Sequence, residues 1–153
     1  KVFLTSTTHG GETHAIRAAI ETISIFKAKN VIAHNHTIGD KFIGLANVLI
    51  EKYGIQSSIE IIPCNWIIAF IFKGNNGEMS TLNRTFFLQE MIKENILFQG
   101  IFIPCFEHND KEITFFMKRF DRVLKIYTKA FNENIISSLL EGEATKPVFR
   151  KYI

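Results

Sequence analysis

From Glu12 onward, apolar positions recur at spacings of three and four: Ala15, Ile16, Ala19, Ile20, Ile23 and Phe26. That period places them on one face of a helix. Lys27, Lys29 and Asn30 close it with the charge preference of a helix C-terminus. A second helix is predicted from about Val31 to Tyr53, on Ile38, Phe42, Leu45, Ala46, Leu49 and Ile50, with Gly54 as its stop. Gly39 and Gly44 inside it each cost ~1 kcal/mol relative to alanine, unless a neighbouring backbone packs closely there.

The pattern then changes. Ser58 to Ile62 and Trp66 to Lys73 are dense in Ile, Phe and Trp but too short for helices. They read as strands, broken at Pro63-Cys64-Asn65. Gly74-Asn75-Asn76-Gly77 is a turn, and a third helix is predicted over Thr81 to Asn95 on Leu82, Phe86, Met91 and Ile92. Phe98 and Ile101 to Pro104 offer short strand material around Gly100. Asn109 and Glu112 have the N-cap and N3 spacing of a capping box. A long helix follows to about Asn132, on Ile113, Phe116, Met117, Phe120, Val123, Leu124, Tyr127 and Phe131. Helices on one side of a small antiparallel sheet make an α+β fold. Residues 135–153 are predicted as an irregular tail. Its isolated apolar residues after Gly142 suggest docking on a surface, in this chain or a partner.

Composition sharpens this picture without overturning it. A chain of 153 residues, 46% hydrophobic and with 15 phenylalanines, suits one packed domain rather than a disordered one. The net charge of +3 is mild and its basic residues alternate with acidic ones, which gives nucleic-acid binding little support. Cys64 and Cys105 lie far apart in apolar surroundings and read as buried free thiols. No signal peptide and no uninterrupted run of ~20 apolar residues is present, so a soluble cytoplasmic protein with no membrane partner is predicted. Lys1 in place of a methionine points to a removed tag or to a piece of something longer.

Candidate chemistry is sparse. His34 and His36 are two apart and would leave a helix on different faces, and His9 and His14 are separated by a turn, so no metal site is expected. His108, beside the predicted cap, reads as a structural hydrogen-bonder. No Gly-x-Ser-x-Gly elbow supports a hydrolase. Trp66 reads as a core residue of its strand. Arg150, in the tail, is either solvated or able to grip a carboxylate or phosphate with both arms of its guanidinium. The segment Thr5-Ser6-Thr7-Thr8-His9-Gly10-Gly11 offers hydroxyls and backbone N–H groups ahead of a helix N-terminus. Such a segment is either an anion cradle or an ordinary cap with a glycine hinge. It matches neither common phosphate-binding motif.

Thr8-His9-Gly10-Gly11-Glu12-Thr13, followed by Ala15-Ile16-x-Ala18-Ala19-Ile20-x-Thr22-Ile23, resembles a segment of the class III pyridoxal-phosphate aminotransferases. The similar branch is the one around glutamate-1-semialdehyde aminomutase, although the aminomutases usually carry Ser-Gly-Asn-Pro where this chain has Gly10-Gly11-Glu12-Thr13. The resemblance extends in element order from about Thr8 to Tyr127. Within it, Glu94-Asn95-Ile96-Leu97-Phe98-Gln99-Gly100 is similar to the family's Gly-Ile-Leu strand, with Asn95 where glycine is usual. Phe106-Glu107-His108-Asn109-Asp110-Lys111-Glu112-Ile113 is similar to its Ala-His-Thr-x-x-Asp-Ile element, with His108 at the histidine position.

The resemblance implies the C-terminal small domain of an enzyme with a fold of type I. Residues 1–11 would belong to the large-domain and dimer interface, 12–134 to the small domain and 135–153 to the tail. It further implies that Thr8, with Thr7 and His9 beside it, contacts the phosphate of pyridoxal 5'-phosphate in the neighbouring subunit of a homodimer. The strand region of Trp66 lies near the substrate entrance in the family, and Arg150 is the other candidate for contact with substrate or partner. The lysine that forms a Schiff base with the cofactor would fall before Lys1, in the N-terminal large domain, so this segment alone would be inactive and would bind no cofactor. Amino donor and acceptor are not specified by these residues. Residues 1–11, separated from those partners, are expected to be loose or packed against a second copy. The alternative is a stand-alone α+β binding or oligomerisation module without cofactor.

Overall fold

The computed structural model describes residues 11–146. Helix α1 spans Thr13–Ala28 and α2 spans Val31–Lys52, with Asn30 in the left-handed conformation between them. Strands β1 (Ile59–Ile62) and β2 (Ile68–Phe72) follow, then α3 (Thr81–Lys93), β3 (Ile101–Phe102), α4 (Asp110–Asn132) and α5 (Ile136–Leu139). The sheet is antiparallel throughout, in the order β1-β2-β3. The α+β class expected from the pattern is the one observed.

Register explains how the core forms. Ile59 pairs with Phe72, Ile61 with Phe70, and Ile68 with Phe102, so these six side chains share one face of the sheet. Helices α2, α3 and α4 cover that face. Phe42 of α2 stacks on Phe102 with ring centroids 4.1 Å apart, and Phe120 of α4 meets Phe70 edge to face at 5.8 Å. Such pairs add to the burial of their area. At the α3 side the polar groups are satisfied internally. The hydroxyls of Ser58 and Tyr127 bond at 2.6 Å, while Ser58 Oγ and Asn83 Nδ2 both donate to the Lys73 carbonyl. Burial pushes the Tyr127 phenol up to about 12.

Two glycines are explained by the backbone. Gly54 takes φ +65 just past α2, the left-handed turn that ends many helices. Gly39 faces the β1–β2 turn so closely that a Cβ there would lie 1.8 Å from the Asn65 carbonyl oxygen. Gly44, on the same helix, meets nothing within 4 Å.

Some expectations need correction. Trp66 is not a core strand residue: it sits in the β1–β2 turn and is 60% exposed. Cys105 is exposed and Cys64 half-buried, both as free thiols, because each falls in a connection rather than in a strand of the inner face. The span read as an irregular tail contains α5, whose Ile136 is buried against the core. Beyond it the chain is strapped to α3 by polar groups. Gln89 donates to the Leu139 carbonyl and accepts from the Glu141 N–H, and Thr85 Oγ1 accepts from the Thr145 N–H.

Candidate functional site

Of the residues singled out by sequence, Thr7, Thr8, His9 and Arg150 lie outside the described residues, as does most of the segment 1–11. What can be described is the helix that this segment enters. Along α1 no residue is buried, and Ile16, Ile20, Ile23 and Phe26 are 43–55% exposed. The predicted apolar face exists, yet among the described residues nothing covers it. Near its C-terminal end, Ile23 and Phe26 border a recess of about 500 Å³ that runs to Ile32 at the start of α2.

Next to this hinge, three connections meet. Asn65 Nδ2 donates to Asp40 Oδ1 at 3.0 Å, tying the β1–β2 turn to α2 and setting the position of Trp66. Phe106, in the β3–α4 loop, meets the His34 ring edge to face at 5.1 Å, with Lys29 Nζ 5.5 Å from its centroid. His34 Nε2 donates to the His108 carbonyl at 2.9 Å, since a carbonyl can only accept. His108 Nδ1 accepts the Cys105 N–H at 3.0 Å, which leaves the ring proton on Nε2. Burial lowers the His108 pKa, with His34 adding to the effect and Glu112 opposing it. His108 is thus a neutral ring that closes the loop before α4, the structural hydrogen-bonder expected. The cap itself forms as read: Asn109 and Glu112 complete a capping box.

Among the described residues no three His, Cys, Asp or Glu side chains are grouped to hold a metal ion. His36 is exposed while His34 turns inward, as their spacing requires. Five of the described lysines have carboxylate partners. Lys41, Lys73 and Lys146 are ion-paired near the surface. Lys52 and Lys93 are shifted upward by hydrogen bonds to Asp121 and to Glu141 and Glu90. No helix among the described residues is long and apolar enough to cross a membrane.

One surface escaped the sequence reading. The sheet face away from the helices carries Ile62, 44% exposed, and Ile101, 47% exposed, flanking the half-buried Ala69, with Ile71 beside them. A signal for it was available. Ile67 to Phe72 is continuously apolar, and a strand meant to face water on one side alternates instead. Comparison with family models, with curated proteins and with solved structures finds no match to this chain.

Proposed function

We propose that this chain is the C-terminal small domain of a class III pyridoxal-phosphate-dependent aminotransferase, of the branch around glutamate-1-semialdehyde aminomutase. In the intact enzyme, Thr8, flanked by Thr7 and His9, would bond the phosphate of pyridoxal 5'-phosphate held by the second subunit of a homodimer. The cofactor supplies the electron sink for amino transfer between a donor and an acceptor. The Schiff-base lysine belongs to the large domain, upstream of Lys1. What this chain contributes is phosphate binding and closure over the site, in a cytoplasmic enzyme without nucleic-acid or membrane partners.

The observation that carries this reading is α1. It follows directly on the Thr-His-Gly-Gly segment and presents Ile16, Ile20 and Ile23 to solvent, while α2, α3 and α4 pack on the sheet and α5 packs on α3 and α4. An apolar face of this length is rare on a free surface and belongs against another body. The large domain is the body that the resemblance supplies. Exposed Trp66 suits a contact with substrate or partner better than a core role. Arg150 remains a candidate for the same contact.

The coding sequence upstream of Lys1 is the direct test. A lysine a few tens of residues before Thr8, preceded by a strand bearing aspartate, supports the proposal; a frame that ends just before Lys1 sinks it. In the intact enzyme, Thr8→Ala is expected to weaken retention of pyridoxal phosphate, read as cofactor lost on dialysis, while the subunit still folds. The apolar outer face of the sheet also favours a second reading, a stand-alone module that associates through its exposed faces. Purified chain that transaminates unaided would contradict the first reading. Chain that forms a tight dimer with no upstream frame would favour the second.

A further inference from the structure

We propose that the free edge of β3, together with the cleft beside it on α4, takes up a short extended peptide bearing an apolar residue flanked by acidic ones. This inference does not rest on the aminotransferase reading. It starts from register. Phe70 N–H donates to the Gly100 carbonyl at 2.8 Å, and Ile68 lies opposite Phe102. Alternate residues of an antiparallel strand aim their backbone groups to opposite sides. Gly100 and Phe102 are thus turned toward β2, and Ile101 and Ile103 direct N–H and C=O outward. Among the described residues β3 is one of the two edge strands of the sheet, β1 being the other, and the cleft described next is lined by Phe102 of β3. One step earlier, the Gln99 carbonyl already accepts from Arg84 Nη2 at 2.7 Å, so the open stretch is Ile101 to Ile103. Unpaired edges of this kind accept an added strand.

The second observation is a place for a side chain. Phe102 points into the helical layer, and next to it a cleft of about 280 Å³ is lined by Ile96, Phe102, Ile113, Phe115 and Phe116. Because Phe102 of β3 forms part of its wall, we take the cleft as the seat for a helix-facing residue of an added strand. Its walls are apolar apart from Asn95, His108 and Glu112. Glu112 accepts the Asn109 N–H, and His108 is held neutral by its contact with Cys105. An aliphatic or aromatic residue therefore fits the cleft.

Charge selects the flanks. Lys111 and Lys118 line the α4 surface next to Phe115 and form no ion pair among the described residues. Arg119 lies 3.4 Å over the Phe115 ring and bonds the Glu94 and Phe115 carbonyls, keeping its charge. Asp110 is paired with Lys41 and Glu94 with Arg122. Glu112 in the cleft wall accepts only the Asn109 N–H among the described residues, one carboxylate against the three cations Lys111, Lys118 and Arg119. The balance of charge beside the cleft is positive, so acidic flanks are favoured.

The test titrates isotopically labelled chain with a blocked synthetic peptide of alternating valine and threonine, with aspartate at both ends. Saturable amide shifts are expected at Ile101, Ile103 and Phe115. Ile103→Pro removes one outward N–H and leaves the Phe102 pairing with Ile68 intact. It should weaken binding roughly tenfold, the worth of a lost hydrogen bond, while thermal unfolding reports whether the fold survives. Lys118→Glu, which touches no backbone group, should weaken the same peptide and improve a lysine-flanked one. Absence of shifts at β3, equal binding of a backbone N-methylated peptide, or shifts centred on Ile62 and Ile71 would overturn the proposal. So would slow amide exchange at Ile101 and Ile103 before any peptide is added.

Discussion

Helices α1 and α4 carry the same kind of message in sequence and meet opposite fates. Both show apolar residues at three- and four-residue spacing. In α4 the whole stripe, from Ile113 to Ala130, is buried against the sheet and its neighbours, and a capping box sets its start. In α1 no residue is buried and the N-cap makes no side-chain cap hydrogen bond. The difference teaches that periodicity announces a face to be covered but is silent on what covers it. For α4 the cover is this domain's own sheet and helices; for α1 no described residue supplies one.

The contrast can be broken most directly at its strong end. Phe120→Ala, at a fully buried position of α4, is expected to cost about 3–5 kcal/mol in urea unfolding. A loss below ~1 kcal/mol would mean that the face is not packed as described. Gly39→Ala is next, expected to cost about 1–3 kcal/mol because its Cβ would collide with the Asn65 backbone. Gly44→Ala, in open space on the same helix, should instead gain about 0.5–1 kcal/mol. Equal effects at the two glycines would remove the close approach of α2 to the β1–β2 turn.

Smaller effects sharpen the comparison. Asn109→Ala deletes the cap that α4 has and should cost ~1 kcal/mol. His108 titrates below its ordinary 6.5 in the folded chain, so between the two values the folded state binds fewer protons than the unfolded one. Its contribution is complete above 6.5 and is lost as pH falls below it toward the folded pKa. Urea midpoints should therefore drop on acidification more in the parent chain than in His108→Gln. The smallest effect belongs to α1: Ile20→Ala should stay within ~0.5 kcal/mol in this chain. A cost of several times that would show that α1 is already covered.

Much of the fold was legible because its signals are local. The breaks at Gly54 and Gly74 to Gly77, the Asn109 and Glu112 spacing, and the stripes of α2 and α4 each act within a few residues. Trp66 was misplaced because a large aromatic next to a strand reads as part of it; the Ile67 N–H to Cys64 carbonyl bond closes a turn around it, and Asn65 ties that turn to Asp40. Helix α5 was missed because four residues are too few for a period to register. Of the candidate site, His108 was read correctly from its place before a cap. The His34 bond to its carbonyl spans 74 positions, and no local pattern carries that distance.

The sequence by itself determined the element order, the α+β class and the existence of an apolar face on α1. These follow from side-chain periodicity and from backbone preferences that act over single turns. Only the tertiary structure decided which faces found partners. Burial depends on what the other elements leave uncovered, and here α2, α3 and α4 suffice to close one side of the sheet. Among the described residues, the outer sheet face and α1 are left with apolar surface, and the edge strands β1 and β3 each have one side without a neighbouring strand.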